Sequence, residues 1–112
     1  PEPNIGFNFD PSHLHWQGID ILAAVHEFKD RLFLTHAKDV SIYPEHLARL
    51  GMREYGWWQY SIPGYGRVPW GEYIRELRLA GYDGVLSIEH EDSAFGPEEG
   101  FLKGKKYLSH LS

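Results

Sequence analysis

The sequence predicts an α/β fold of parallel strands with helices packed outside them. Short apolar runs at about 4–10, 31–36 and 84–89 alternate with amphipathic stretches at about 19–29, 44–50, 69–80 and 97–110. Strands that alternate with helices imply a parallel sheet joined by right-handed crossovers. Each run also ends at an ionisable side chain, Asp10, His36 or Glu89, and active sites of parallel α/β folds gather at the C-terminal ends of the strands.

Taken in order, Ile5-Gly6-Phe7-Asn8-Phe9-Asp10 alternates, with Ile5, Phe7 and Phe9 on one face and Gly6, Asn8 and Asp10 on the other. Pro11 ends that strand because it cannot donate to a ladder, and Ser12–Gly18 reads as a loop. Apolar residues at 21, 22, 25 and 28 form a helical stripe. Arg31–His36 is the second strand, leading into Ala37-Lys38-Asp39. Pro44 suits the first position of a short helix that Gly51 stops. Residues 51–66 show no period, are rich in aromatics (Tyr55, Trp57, Trp58, Tyr60, Tyr65) and close on Pro63-Gly64-Tyr65-Gly66. Pro69 opens a helix with the stripe Trp70, Tyr73, Ile74, Leu77, Ala80, closed by Gly81. The third strand follows, and then a helix from Pro97 with Phe101, Gly104, Leu108 and Leu111 on one face.

Composition narrows the function classes. Hydrophobic residues at 42% and aromatics at 15% of 112 residues argue for a packed core. There is no cysteine, which rules out disulfides and thiolate metal sites. Sixteen acidic against eleven basic residues leave a net charge of −5, which disfavours a nucleic-acid backbone as partner. No apolar run approaches the ~20 residues of a membrane span, and no signal peptide is visible, so a cytoplasmic location without a membrane partner is expected. The opening Pro1-Glu2-Pro3 lacks an initiator Met and runs directly into a strand, as if cut from a longer chain.

Parity sharpens the strand-end set. Val85, Ser87 and Glu89 share a face opposite Leu86 and Ile88, and Asp10 lies on the small, polar face of its own strand; in a barrel both tips point inward. The middle strand's parity is uninformative. Asp10 alone before Pro11-Ser12 reads as an Asx turn or helix cap, and a lone strand-end His as hydrogen-bonded structure. Together, Asp10, His36 and Glu89 read as one metal or acid–base site. One imidazole among carboxylates suits Mn²⁺ first, then Mg²⁺ or Co²⁺, with Zn²⁺ compatible. His13, three residues beyond Asp10, is near enough to join the site. His90, Glu91 and Asp92 read as rim residues, with His90 pointing away from the barrel axis.

Asp10-Pro11-Ser12-His13-Leu14, His36-Ala37-Lys38-Asp39, Ile62-Pro63-Gly64-Tyr65-Gly66 with Trp70, and Gly81-Tyr82-Asp83-Gly84 leading to Ile88-Glu89-His90-Glu91-Asp92 resemble the sugar phosphate isomerase/epimerase family of xylose isomerase-like TIM barrels. The resemblance implies the C-terminal three β/α units of a (β/α)₈ TIM barrel, with roughly 150 or more residues lying elsewhere in a barrel of about 250. It maps the family's metal-binding Asp, His and later Glu onto Asp10, His36 and Glu89, leaving an earlier Glu on a strand outside this sequence. It implies isomerisation or epimerisation of a sugar or polyol by proton transfer through an enediolate, with Glu89 as a proton-transfer residue, and it makes His13 a substrate contact. Ser61 stands where many relatives carry a substrate-anchoring Arg. Arg67 or Arg53 replaces it only if the loop turns inward, which puts an anionic substrate in doubt.

The aromatic insert reads two ways. Trp57, Trp58, Tyr60 and Tyr65 stack on a sugar as a lid, or they pack against the rest of a barrel or a second subunit and support a homo-oligomer. Apurinic endonucleases of the same superfamily need extra Asp and His zinc ligands, where this sequence has Trp58 and Tyr60. The remaining alternative is a non-catalytic fragment or a sugar-binding or interaction module, since three strands cannot close a barrel.

Overall fold

The computed structural model describes residues 2–111, so Pro1 lies outside the described residues. Strands β1 (Phe7–Phe9), β2 (Leu32–Ala37) and β5 (Leu86–Ile88) form a parallel sheet in the spatial order β1–β2–β5. Asn8 pairs with Leu34 and His36 with Ser87, while Thr35 lies between Phe9 and Leu86. Partners across a parallel ladder share a face and neighbours along a strand alternate. Asn8, Leu34, His36 and Ser87 therefore line one face, and Phe9, Thr35, Leu86 and Ile88 the other. Two residues further along, the first face delivers Asp10 and Glu89 beside His36.

The helices cover the second face. In α4 (Trp70–Leu79), Trp70, Tyr73, Ile74 and Leu77 are buried at helical spacing, and α2 (Ile21–Glu27) packs Ile21 and Val25 alongside. Truncating Trp70 or Tyr73 to alanine would cost about 3–5 kcal/mol, the usual range for a large core aromatic. In α5 (Pro97–Ser109) the buried line is Gly100, Gly104 and Leu108. Phe101, expected on that face, is exposed at its edge and meets His90. A Cβ on Gly104 would sit 3.1 Å from Pro63, so glycine lets the helix approach the loop closely. Among the described residues no helix is long and apolar enough to cross a membrane.

Several elements differ from the sequence reading. Ser12–Gly18 is not a loop throughout: α1 (Pro11–Trp16) forms there, with Pro11 at its first position and Asp10 as its cap. α2 is shorter than 19–29 because Asp20 caps it through Ala23 N–H, and a 3₁₀ turn at Lys29–Arg31 follows. β1 is shorter than 4–10, since Ile5 N–H bonds back to the Glu2 carbonyl in a turn before it and Asp10 is taken up as the cap of α1 after it. β5 starts only at Leu86, because the Val85 carbonyl is taken by the Tyr82 and Thr35 hydroxyls. The largest difference is a second sheet. β3 (Asp39–Ile42) pairs antiparallel with β4 (Trp58–Ser61), Asp39 facing Ser61 and Ile42 facing Trp58. Between them lies α3 (Pro44–Leu50). The short alternations Asp-Val-Ser-Ile and Trp-Gln-Tyr-Ser signal this hairpin, but the long connection hides the turn that normally announces one.

Candidate metal centre

Asp10 divides its two oxygens between structure and site. Oδ1 accepts the Ser12 amide at 2.9 Å and the Ser12 hydroxyl at 2.6 Å, which caps α1 and fixes the carboxylate's rotation. Oδ2 is buried with no hydrogen-bond partner and lies 3.7 Å from His36 Nδ1. His36 Nδ1 also lies 3.2 Å from Glu89 Oε1. One ligand atom from each of Asp10, His36 and Glu89 falls within 4.8 Å of the others. The helix cap uses Oδ1 and leaves Oδ2 directed at His36, so capping does not compete with a ligand role.

A divalent cation fits this set on two observations. The buried Oδ2, ion-paired at 3.5 Å with Lys38 but without a hydrogen bond, would gain a direct ligand bond, and two carboxylates with an imidazole are the donors that hard to borderline divalent ions take. Exposure grades across the three: the side chains of Asp10, His36 and Glu89 are 8%, 19% and 36% accessible. Asp10 anchors the set, and Glu89 opens to solvent.

Sequence reasoning assigned no site role to Lys38. Its side chain is 2% exposed, and its ammonium lies 3.5 Å from Asp10 Oδ2, 3.4 Å from Glu89 Oε2 and 3.0 Å from Glu91 Oε1. Burial alone would lower its pKa, but the hydrogen bond it donates to Glu91 and the charges of Asp10 and Glu91 outweigh that and hold it above 10.5. Lys38 follows His36 by two residues, so strand parity was the available signal. Glu91, inward by parity but beyond the strand, reaches the site through Lys38.

His13 stands on α1, with Nε2 3.3 Å from Lys38 Nζ and 3.7 Å from Asp10 Oδ2, and Nδ1 2.8 Å from the Tyr60 hydroxyl. The Lys38 ammonium lies 4.0 Å above the Tyr60 ring. Burial pushes the Tyr60 phenol up, with Trp16 and Lys38 opposing. Behind Tyr60 the aromatics form a ladder: Trp58 meets Tyr60 edge-on at 5.0 Å, and Trp16 stacks on Trp58 at 4.5 Å with planes 9° apart. One face of Trp58 is therefore covered by Trp16. Trp57 is buried, whereas Tyr55 is 94% exposed. Arg67 is exposed and lines a separate surface cavity with His15, Asp20, Ile21 and Pro69. Ser61 is buried, its hydroxyl 3.3 Å from that of Ser41.

The loop between β4 and α4 is held by Asp39. This fully buried carboxylate accepts the amides of Val40, Gly64, Gly66 and Val68 and the Trp70 indole N–H, at 2.8 to 3.0 Å. His90 points away from the metal group: Nε2 donates to the Gly96 carbonyl at 2.9 Å, and Nδ1 accepts the Asp92 amide at 3.1 Å. Asp92, expected at the rim, is buried and accepts the Ile62 and Ala94 amides. It ties the strand-end loop to the Gly64 loop instead of facing solvent.

Comparison with known proteins agrees with this architecture. The profile of the xylose isomerase-like TIM barrel family matches residues 1–111. Over 108 residues the chain is 34% identical to the uncharacterized protein YfiH of Bacillus subtilis (strain 168), covering 88% of this chain and 34% of that protein. It is 31% identical, also over 108 residues, to an inosose dehydratase of Lacticaseibacillus casei, covering 89% of this chain and 36% of that enzyme. The crystal structure of a xylose isomerase domain protein from Planctomyces limnophilus superposes with a TM-score of 0.75 at 28% identity, over 99% of this chain and 37% of that one. The chain spans about a third of the length of the relatives it matches. On its profile match and its superposition alike, the chain belongs to the xylose isomerase-like TIM barrel family.

Proposed function

We propose that this chain supplies Asp10, His36 and Glu89 to a divalent-metal centre of a sugar or cyclitol isomerase or epimerase, with Mn²⁺ as the first candidate. The observation that carries the reading is the convergence of one ligand atom from each of these three side chains within 4.8 Å, one of them a buried carboxylate oxygen with no hydrogen-bond partner. When bound, the ion would polarise a carbonyl or hydroxyl oxygen of the substrate.

The chain's own residues supply the proton chemistry. Glu89 is the most open member of the set, and its carboxylate is steadied by His36 at one oxygen and Lys38 at the other. It takes the proton from the carbon next to the carbonyl. The electron pair moves onto the oxygen as an enediolate, and return of a proton to either carbon or face completes isomerisation or epimerisation. A second Glu on another strand would serve the opposite face, so this chain alone is expected to turn over no ketose. Lys38 keeps a fixed positive charge beside the developing oxyanion. Small-molecule polyols are therefore the proposed partners, with His13 and the Trp58 ladder bordering their space.

Dehydration is a second reading, favoured by the inosose dehydratase among the relatives. The same proton abstraction by Glu89 would then be followed by breakage of the C–O bond at the next carbon, the hydroxyl leaving as water after accepting a proton.

The test is Glu89→Gln in the full-length protein, assayed on inososes and ketoses with Mn²⁺. The expected result is weakened Mn²⁺ binding and a rate lower by about 10²–10⁴-fold, the usual contribution of a positioned acid–base group. An undiminished rate would overturn the assignment.

A further inference from the structure

We infer that Glu91 is a positioning residue of the metal centre, taking up the buried Lys38 ammonium so that Asp10 and Glu89 are left to the ion. This rests on the metal-centre reading above and deepens it with a residue outside the ligand group. The strands set up the meeting. Ala37 pairs with Ile88 and the Glu89 amide bonds to the Ala37 carbonyl, so both chains leave the sheet side by side, carrying Lys38 and Glu91. The Lys38 side chain is 2% exposed, and its ammonium lies 3.0 Å from Glu91 Oε1, 3.4 Å from Glu89 Oε2 and 3.5 Å from Asp10 Oδ2. Only the first falls inside the usual N–H···O range of about 2.7–3.2 Å. Asp10 Oδ2 accepts no hydrogen bond even with the ammonium beside it.

An ammonium this near both carboxylates opposes any divalent ion they take, since like charges repel most where water is excluded. Buried as it is, the Lys38 ammonium cannot withdraw into solvent, so it needs an anion that the ion does not use. Two of its other neighbours are the His13 ring, 3.3 Å away at Nε2, and the Tyr60 ring, whose centre is 4.0 Å away. Neither is an anion. Among the described residues Glu91 alone meets the need. It lies outside the group formed by Asp10, His36 and Glu89, and its side chain is 54% exposed, so its own charge stays hydrated. Without Glu91, Lys38 would be left to compete with the ion for Asp10 and Glu89.

The experiment measures the Mn²⁺ dissociation constant of the metal-free full-length protein by titration calorimetry. Wild type is compared with Glu91→Ala, Glu91→Gln, Lys38→Met and the double variant Lys38→Met with Glu91→Ala. Glu91→Ala is expected to weaken Mn²⁺ binding about tenfold, the scale of one hydrogen bond between charged groups. Glutamine keeps an oxygen that accepts from Lys38, so Glu91→Gln should lose less. Once residue 38 is methionine there is no ammonium to hold. Glu91→Ala should then change the affinity by less than about threefold, the share of a half-exposed charge. An equal loss in both backgrounds would make Glu91 a nearby charge only and overturn the assignment, as would an unchanged Mn²⁺ affinity in Glu91→Ala. Should Lys38→Met not fold, equal losses in Glu91→Ala and Glu91→Gln would overturn it instead. Failure of the wild type to bind Mn²⁺ would overturn the metal reading and this assignment with it.

Discussion

Asp39 Oδ2 accepts the indole N–H of Trp70 at 2.8 Å, and that bond joins the first residue of β3 to the first turn of α4. The same carboxylate takes four backbone amides, so every arm of the loop from Ile62 to Trp70 is pinned to one buried charge. Asp39→Asn would replace one acceptor oxygen with an NH₂ that faces N–H donors. The expected loss is about 3 kcal/mol of unfolding free energy, the scale of buried donors left without partners, read from the urea midpoint of the full-length protein. A midpoint unchanged in Asp39→Asn would show that the loop holds without it.

Gly66 belongs to the same latch. A Cβ there would lie 2.4 Å from the Val40 carbonyl oxygen and 2.5 Å from Asp39 Oδ1. Neither atom can withdraw without breaking the hairpin or the latch. Gly66→Ala is therefore expected to destabilise by about 2–4 kcal/mol, within the range for steric strain and lost buried bonds. Gly71→Ala, at an exposed helical position where a Cβ meets nothing within 4 Å, is the control and should be neutral or stabilise by up to about 1 kcal/mol.

Lys38 and a divalent ion serve the same carboxylates. Without either, Asp10, Glu89 and Glu91 face one another with only the imidazoles of His13 and His36 beside them. Lys38→Met is expected to lower the stability of the metal-free protein by about 1–3 kcal/mol, less than a fully buried pair would lose because Glu89 and Glu91 are partly open to water. Added Mn²⁺ should then raise the melting temperature more in Lys38→Met than in wild type. An equal increment in both would show that Lys38 and the ion do not share ligands.

Alkaline pH should weaken the fold through three groups acting in one direction. Lys38 and Tyr60 lie above their ordinary values of 10.5 and 10.0 in the folded chain, and burial pushes Tyr73 far above 10.0. For a raised pKa the unfolded chain loses its proton first, so the stabilisation is complete below the unfolded value and is lost as pH rises towards the folded one. Unfolding free energy is expected to fall as pH rises above about 10. Tyr73→Phe should flatten that fall. Because the Tyr73 hydroxyl is buried without a hydrogen-bond partner, the same change should add up to about 1 kcal/mol at neutral pH. Chemical denaturation at pH 7 and pH 11 checks both.

What the sequence by itself determined is local. Alternation along Asn8-Phe9-Asp10 and Ser87-Ile88-Glu89 assigns each tip residue to a face, because the side-chain period of a strand does not depend on its neighbours. Prolines at 44 and 97 mark helix starts because the ring presets φ and the missing N–H is not needed there, whereas Pro11 reads only as a strand end and α1 behind it comes from the structure. Alternation turns Asp10 and Glu89 inward, while His36 joins them only because its strand ends there, the parity of Arg31–His36 deciding nothing. What only the tertiary structure decided depends on pairings across long stretches of chain. Glu91 reaches Lys38 across 53 residues, and Tyr60 reaches His13 across 47. The first follows from the parallel pairing of β2 with β5, and the second requires the β3–β4 hairpin, whose long connection no local period announces. Trp58 and Arg67 looked equivalent in the sequence, yet one joins the ladder beside the site and the other lines a separate cavity. Composition cannot tell such residues apart, because the direction a loop side chain takes is set by what the loop is pinned to.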